Sequence, residues 1–197
     1  MLSFVYMQFT ENVEKIVHFA LVLEKFPQKD IADEFHIAKS YVSKIINKLC
    51  GMNLIERKAK NSFFVSDKTR LLLLWAVHRK PRKAYAKIHL PLKSSEIIEF
   101  LERRKIDYSL CMISAFSKIN KSKTDKVSVY LKKQDIKKLK DEFPPDKHGN
   151  LIIFEGKDNE FFGSKDKVLD IYLTFADLYS RGFLDCFSLL KYVSTHI

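Results

Sequence analysis

Residues 28–68 read QKDIADEFHIAKSYVSKIINKLCGMNLIERKAKNSFFVSDK, and this stretch decides how the chain is interpreted. Its first part, Lys29–Phe35, repeats apolar residues at the spacing of the buried face of a helix. A second helix is predicted over Tyr41–Leu49 after a short connection, with Ser40 as its N-cap. The sequence therefore predicts two short helices joined by a tight turn.

The second of these helices has two different faces. One face is apolar and is formed by Val42, Ile45, Ile46 and Leu49. The opposite face is polar and carries Tyr41, Ser43, Lys44, Asn47 and Lys48. Lysines can neutralise phosphates, while Ser, Tyr and Asn can hydrogen-bond to base edges or to phosphate oxygens. The polar face therefore has the chemistry of a nucleic-acid contact surface.

A β-hairpin is predicted after Gly51, a residue type that commonly ends helices. Leu54–Arg57 and Ser62–Val65 have the composition of paired strands, and Lys58–Asn61 forms a basic tip between them. Two helices, a tight turn and a hairpin with a cationic tip together indicate a winged helix-turn-helix. One departure is His36, which stands where such turns often carry glycine.

The segment is similar to the winged-helix domains of bacterial and archaeal transcription regulators. The resemblance is carried by Ala32, Ile37, Ser40, Val42, Ile46, Leu49, Gly51 and the run Leu54–Arg57. Such a domain would bind double-stranded DNA, with the second helix in the major groove. The expected major-groove residues are Lys39, Ser40, Tyr41, Ser43, Lys44 and Asn47. The expected phosphate contacts from the two helices are Gln28, Lys29 and Lys48. The expected hairpin contacts, along or in the minor groove, are Arg57, Lys58, Lys60 and Asn61.

The charge balance suits a polyanionic partner. The formal net charge is +11 and the pI is near 9.4, and the excess of Lys and Arg is larger up to Lys83 than after it. Such a balance fits nucleic acid or an acidic membrane surface. The N-terminal run MLSFVYMQF is too short to span a bilayer and lacks the basic start and cleavage site of a secretory signal. We therefore expect no membrane partner.

The three cysteines, Cys50, Cys111 and Cys186, are widely separated along the chain. No CxxC pair or nearby histidine cluster accompanies them, so a zinc site is not expected. An odd number of isolated cysteines fits the reducing cytoplasm, which is the expected location.

A domain boundary is predicted at Lys83. The run His78–Lys83 is basic and contains Pro81, which stops the preceding helix, and a charge run of this kind is usually solvated. The preceding helix, from Lys68 to about Arg79, is apolar on most sides, which suits either a buried core helix or a homodimer interface. We therefore assign 1–83 to the winged helix-turn-helix domain and 84–197 to a second domain.

The second domain is predicted to be α+β, because strand and helix patterns are mixed along it. The predicted strands are Tyr85–Leu90, Ile106–Ile113, Lys126–Leu131 and Leu151–Glu155. The predicted helices are Ser94–Lys105, capped by Ser94 or Ser95, then Ser114–Ile119, Gln134–Phe143, Ile171–Leu178 and Phe183–Val193. In the first domain a further helix is expected over Glu11–Phe26, with Thr10 as N-cap and Pro27 as its end.

Short motifs of the second domain resemble the C-terminal region of AbiEi-type proteins. They are Tyr108-Ser109-Leu110, Ser114-Ala115, Val129-Tyr130-Leu131, Ile171-Tyr172-Leu173, Asp177-Leu178-Tyr179 and Arg181-Gly182. AbiEi-type proteins are winged-helix repressors that act as antitoxins in type IV toxin–antitoxin systems. The resemblance implies a transcriptional repressor, with a cognate toxin gene product as a further partner.

The same region also resembles a minimal nucleotidyltransferase core, but a degenerate one. That chemistry needs two carboxylates alternating on one strand to hold metal ions. Lys126 and Ser128 stand at the corresponding positions, and Gly163-Ser164 is an isolated echo of the glycine-serine signature. Neither Lys nor Ser replaces a carboxylate ligand of Mg²⁺. We therefore expect no enzyme activity, no catalytic or metal-binding residue and no cofactor.

Two alternatives to a DNA-binding regulator remain. The chain could be a protein-interaction module without DNA binding, or a nucleotidyltransferase-like enzyme. The basic hairpin tip, with Lys58 and Lys60, favours DNA binding over the interaction module.

Overall fold

The computed structural model describes residues 7–59, 62–157 and 166–193. Within these residues the chain is a mixed α+β protein with two separate sheets. It divides into two units. The first comprises the chain up to Arg79 together with the segment from Ser188, and the second is Lys80–Phe187.

The first unit combines helices with a three-stranded antiparallel sheet of order β1-β3-β2. Its elements are α1 Glu11–Leu23, β1 Lys25–Pro27, α2 Gln28–Phe35, α3 Lys39–Gly51, β2 Ile55–Ala59, β3 Ser62–Val65 and α4 Lys68–His78. Asp67 caps α4 by accepting a hydrogen bond from the Arg70 N–H at 2.9 Å. The core is formed by fully buried side chains such as Ile16, Ile46 and Trp75. Each large apolar side chain that is fully buried stabilises the fold by roughly 1.5–3 kcal/mol.

The start of α1 is confirmed, but its predicted end at Phe26 is wrong. The Thr10 hydroxyl caps the helix by accepting from the Val13 N–H at 3.4 Å. The helix ends at Leu23, and Glu24 has φ 59. Lys25–Pro27 then pairs with β3 as a strand, which buries Phe26 in the core.

The second unit contains a four-stranded sheet of order β4-β7-β6-β5, in which only β6 and β7 run parallel. Its strands are β4 Ala86–Ile88, β5 Tyr108–Leu110, β6 Val127–Leu131 and β7 Leu151–Glu155. Its helices are α5 Ser94–Arg103, α6 Met112–Ile119, α7 Lys133–Glu142 and α8 Ile171–Tyr179. The 3₁₀ helix Leu184–Leu189 follows α8. The last helix, α9, Leu190–Val193, belongs to the first unit, where it contacts α4.

Helices cover both faces of this sheet. On one face α5 and α7 pack over the strands, so that Leu101 and Leu139 join the same core cluster as Val129. On the other face α6 contacts β6 and α8. There the buried Tyr130 hydroxyl donates to the Asp177 carboxylate of α8 at 2.8 Å. The alternation of β6 residues between two covered faces explains why every residue of this strand is buried.

Three predicted boundaries in the second unit are wrong. The strand expected over Ile106–Ile113 is reduced to β5, because Met112 already begins α6. Helix α5 has Lys93 as N-cap, and the Glu96 carboxylate, rather than a serine hydroxyl, accepts from its N–H at 2.7 Å. The closing helix expected over Phe183–Val193 is a 3₁₀ helix followed by one short α-helix.

No helix in the described part of the chain is long and apolar enough to cross a membrane.

Gly149 permits a close backbone approach in the second unit. A Cβ atom at this position would lie 2.5 Å from the carbonyl carbon and oxygen of Ile88. Because those neighbours are backbone atoms of β4, we expect Gly149→Ala to lower the free energy of unfolding by about 1–3 kcal/mol. Urea denaturation measures this change.

Gly51→Ala is the matched control. No atom lies within 4 Å of a Cβ at Gly51, and the residue ends α3, so alanine is expected to be neutral or to stabilise by about 0.5–1 kcal/mol. Equal effects of the two substitutions would show that the contact between Gly149 and Ile88 is not tight.

Candidate nucleic-acid interface

The turn between α2 and α3 forms with histidine in a conformation that usually favours glycine. Helix α2 ends at Phe35, and His36 adopts the left-handed conformation, with φ 52 and ψ 41. The His36 N–H donates to the Ala32 carbonyl, and the Ile37 N–H donates to the same oxygen at 3.0 Å. These two bonds satisfy the end of α2 and hold the turn.

Helix α3 begins before the position predicted from the sequence. Ala38 is its N-cap, and its carbonyl accepts from the N–H groups of Tyr41 and Val42 at 2.9 and 3.1 Å. Ser40 therefore lies inside the first turn, and its predicted role as N-cap is wrong. The helix extends two residues beyond the predicted Leu49 and ends at Gly51, the residue expected to stop it, while Asn53, rather than Gly51, has positive φ.

The two faces of α3 are arranged as the residue spacing predicts. Val42, Ile45, Ile46 and Leu49 are buried. On the opposite face Ser40, Lys44 and Asn47 are exposed, with Ser43 and Lys48 half-buried beside them and Lys39 exposed at the start of the helix. The result is a polar, cationic surface on one side of a helix whose other side is fixed in the core.

Two of the predicted contact residues hold α3 in place. The Gln28 side-chain amide donates to the Lys39 carbonyl at 2.9 Å, which ties the start of α2 to the start of α3. The Tyr41 hydroxyl lies 3.2 Å from the Thr10 hydroxyl at the start of α1. The sequence patterns did not indicate either bond, because each joins two elements that are separate in sequence.

Helix α2 contributes negative charge as well as Lys29. Lys29 lies 4.0 Å from Asp33, and both side chains are largely exposed. Asp30 and Glu34 are also exposed on this helix. The positive surface is therefore concentrated on α3 and the hairpin rather than on α2.

The hairpin places two cations against aromatic rings. The Arg57 guanidinium lies 5.2 Å from the centre of the Phe63 ring, and the Lys58 ammonium lies 4.5 Å from that of Phe64. Both cations are on β2, both rings are on β3, and both cationic residues are exposed. Cation–π contacts of this kind restrict the side chains without neutralising them. Lys60 and Asn61, at the predicted tip, lie outside the described residues.

Cys50 is the one cysteine of α3, and it is not activated. Burial raises the pKa of its thiol, with a smaller opposing effect from Arg57 and a further small increase from Glu56. The thiol therefore stays protonated near neutral pH, which fits a packing role.

Lys126 and Ser128 are the two positions where a nucleotidyltransferase would carry carboxylates, and Ser128 takes part in a structural hydrogen bond. Ser128 is buried, and its N–H donates to the Ser114 hydroxyl at 2.8 Å, whereas Lys126 is exposed. Gly163-Ser164 lies outside the described residues. Among the residues that are described, no group of three or more His, Cys, Asp or Glu is placed to hold a metal ion.

The chain matches no protein-family model, and comparison with curated proteins and with solved structures likewise finds no match.

Proposed function

We propose that the chain is a sequence-specific, DNA-binding transcriptional regulator whose first unit is a winged helix-turn-helix domain. The observation that carries this proposal is the outer face of α3. Ser40, Lys44 and Asn47 are exposed together on a helix that contains no Asp or Glu, and the core holds its other face. An α-helix fits the major groove of B-DNA, where amide and ammonium groups can bind base edges.

The hairpin supports the same docking. In the proposed complex α3 lies in the major groove, and the hairpin cations Arg57 and Lys58 lie against the flanking backbone or minor groove. Lys39 and Lys48 extend the cationic surface at the two ends of the α3 face. Gln28 and Tyr41 act mainly by orienting α3, since both are already bonded within the protein.

We further propose that the second unit has no catalytic activity and serves as a platform for a partner. Its motifs resemble those of AbiEi-type antitoxins. Lys126, directly before β6, and Ser128, on β6, stand where a nucleotidyltransferase needs carboxylates. A cognate toxin gene product is one proposed partner, and the product of a neighbouring gene is the first to test. Nucleotide transfer from labelled ATP or CTP with Mg²⁺ would contradict the proposal that the second unit has no catalytic activity.

A homodimer is the second proposed partner arrangement. Val77 on α4 is 61% exposed and Leu23 on α1 is 43% exposed, so the first unit presents large apolar side chains outside its core. A two-fold dimer would place two α3 helices about 34–36 Å apart on DNA. The binding site would then be an inverted repeat.

Selection of bound fragments from random duplex DNA tests the proposed function. The expected result is an enriched motif for the full chain, and Asn47→Ala should relax the base preference at one or two positions of it. A good bidentate contact provides about 1–3 kcal/mol of discrimination. Gln8→Ala, which removes an exposed amide elsewhere in the first unit, should leave the motif unchanged.

The outcomes of this selection separate the alternatives. Failure to enrich any motif would contradict sequence-specific binding and favour the protein-interaction module. An enriched motif that is identical for Asn47→Ala and the parent would exclude Asn47 from base readout.

A further inference from the structure

A cleft of about 610 Å³ opens beside α7 on the second unit. We call it the α7 cleft. Its lining consists of Tyr85, Lys132, Lys133, Gln134, Lys137, Lys140 and Asp141. Four ammonium groups against one carboxylate make the lining strongly positive, and the volume is within the usual range for ligand sites.

The lysines of this cleft are aligned by the helix. Lys133, Lys137 and Lys140 recur at four- and three-residue spacing, so they share one face of α7, while Ile136 and Leu139 are buried on another. Like charges at this spacing repel one another and destabilise an isolated helix slightly. The arrangement therefore favours an anionic ligand that lies along the helix.

The carboxylates near α7 do not neutralise this row. The Lys132 ammonium, which precedes the row, lies 3.2 Å from the Asp107 carboxylate, and the Lys138 ammonium, outside the cleft lining, lies 3.4 Å from the Asp135 carboxylate. In the described part of the chain, no ion pair engages Lys133 or Lys137, and both are exposed. Two cations of the cleft lining, Lys133 and Lys137, are thus available to a ligand.

Tyr85 supplies an aromatic surface at the same place. Its side chain is 46% exposed. Its backbone N–H donates to the Ile153 carbonyl at 2.7 Å, which fixes Tyr85 directly before the first residue of β4. The Lys140 ammonium lies 5.4 Å from the centre of its ring. An exposed ring beside a row of lysines is the combination that binds bases and phosphates of a single strand.

We propose that the α7 cleft binds single-stranded nucleic acid, with phosphates on Lys133 and Lys137 and a base against Tyr85. In a duplex the bases are stacked inside the helix, so a tyrosine in a concave cleft cannot reach a base face. An acidic protein segment would supply negative charge but would not need the ring. The site goes beyond the proposed function, because it uses no residue of α3 or the hairpin.

Fluorescence anisotropy with the full chain and a labelled oligothymidylate of about twelve nucleotides tests this proposal. Lys133→Gln with Lys137→Gln should flatten the salt dependence of log K by about 1.4, since each phosphate contact with a single strand contributes about 0.7. Tyr85→Ala should weaken binding by about 5- to 150-fold, and Tyr85→Phe should retain most of the affinity.

Two control variants show whether the oligothymidylate binds at the α7 cleft. Lys118→Gln with Lys123→Gln removes two exposed lysines of the same unit outside the cleft and should leave the salt dependence unchanged. Lys44→Gln with Asn47→Ala alters the outer face of α3 and should leave oligothymidylate binding unchanged. The second control separates failure of this proposal from failure of the proposed function.

Three results would overturn the proposal. The first is that the Lys133/Lys137 variant and the Lys118/Lys123 variant lose affinity for the oligothymidylate equally. The second is displacement of the oligothymidylate by duplex DNA of the same length at equal concentration. The third is displacement by polyglutamate together with unchanged affinity of Tyr85→Ala, which would assign the cleft to an acidic protein segment.

Discussion

Replacing Arg79 with alanine is expected to lower the free energy of unfolding of the first unit by about 3–5 kcal/mol. The Arg79 side chain is only 2% exposed, and its guanidinium donates to the Glu14 carboxylate of α1. The same guanidinium lies 5.3 Å from the centre of the Trp75 ring. Without Arg79, the Glu14 carboxylate, which is 19% exposed, would be left in the protein without this counter-charge. Urea denaturation followed by circular dichroism measures the change.

Arg70→Ala is the matched control, since Arg70 lies on α4 and Arg79 directly follows the last residue of that helix. Its side chain is 62% exposed and lies 3.8 Å from Asp67, so its ion pair should be worth less than about 1 kcal/mol. Arg79→Met combined with Glu14→Leu should recover most of the stability lost in Arg79→Ala, because it removes both charges of the pair. Equal effects of Arg79→Ala and Arg70→Ala would contradict a buried ion pair.

The burial of Arg79 illustrates what the sequence could not provide. Arg79 belongs to the basic run His78–Lys83, and such runs are usually solvated. Its partner, Glu14, is far away in sequence, and no local pattern connects the two. Burial of this charge depends on the packing of α1 against α4, which is a tertiary property.

Local periodicity predicted the faces of α3 correctly. Its apolar residues recur at helical spacing and are buried, so the opposite residues, including Lys44 and Asn47, are exposed. The short strand β1 was missed because its three residues pair with β3, which lies well downstream. The N-cap assignment to Ser40 was wrong because the helix begins earlier, with Ala38 as N-cap. The Ala38 carbonyl accepts the first helical hydrogen bonds, but its side chain has no polar group that would mark the position in the sequence.

The hydrogen bonds that hold α3 in place could not be predicted from the sequence either. The bonds from Gln28 to Lys39 and from Tyr41 to Thr10 require the folded arrangement of α1, α2 and α3. Likewise, Tyr85 precedes a strand and the lysines of the α7 cleft lie on a helix far downstream. Only the packing of α7 on β7 places them together.

The combination Lys48→Gln, Arg57→Gln and Lys58→Gln is expected to weaken binding to every duplex on the order of 100-fold near 0.15 M salt. These three residues are the described cations assigned to the DNA backbone at the end of α3 and on the hairpin. Each lost phosphate contact should flatten the salt dependence of log K by about 0.9, which gives about 2.7 for the three. The base preference of the selected motif should stay the same, since backbone contacts carry no direct sequence information.

The charge-matched control is Lys118→Gln with Lys123→Gln and Lys147→Gln, three exposed lysines of the second unit. It has the same net charge as the test variant, so a general loss of electrostatic attraction would affect both equally. Anisotropy titrations of one selected duplex across a salt series compare the two. If log K of the test variant depends on salt as strongly as that of the parent, the end of α3 and the hairpin do not contact phosphates. A changed motif would instead assign at least one of Lys48, Arg57 and Lys58 to base readout, because only groups at base edges or in a sequence-dependent groove alter the preference.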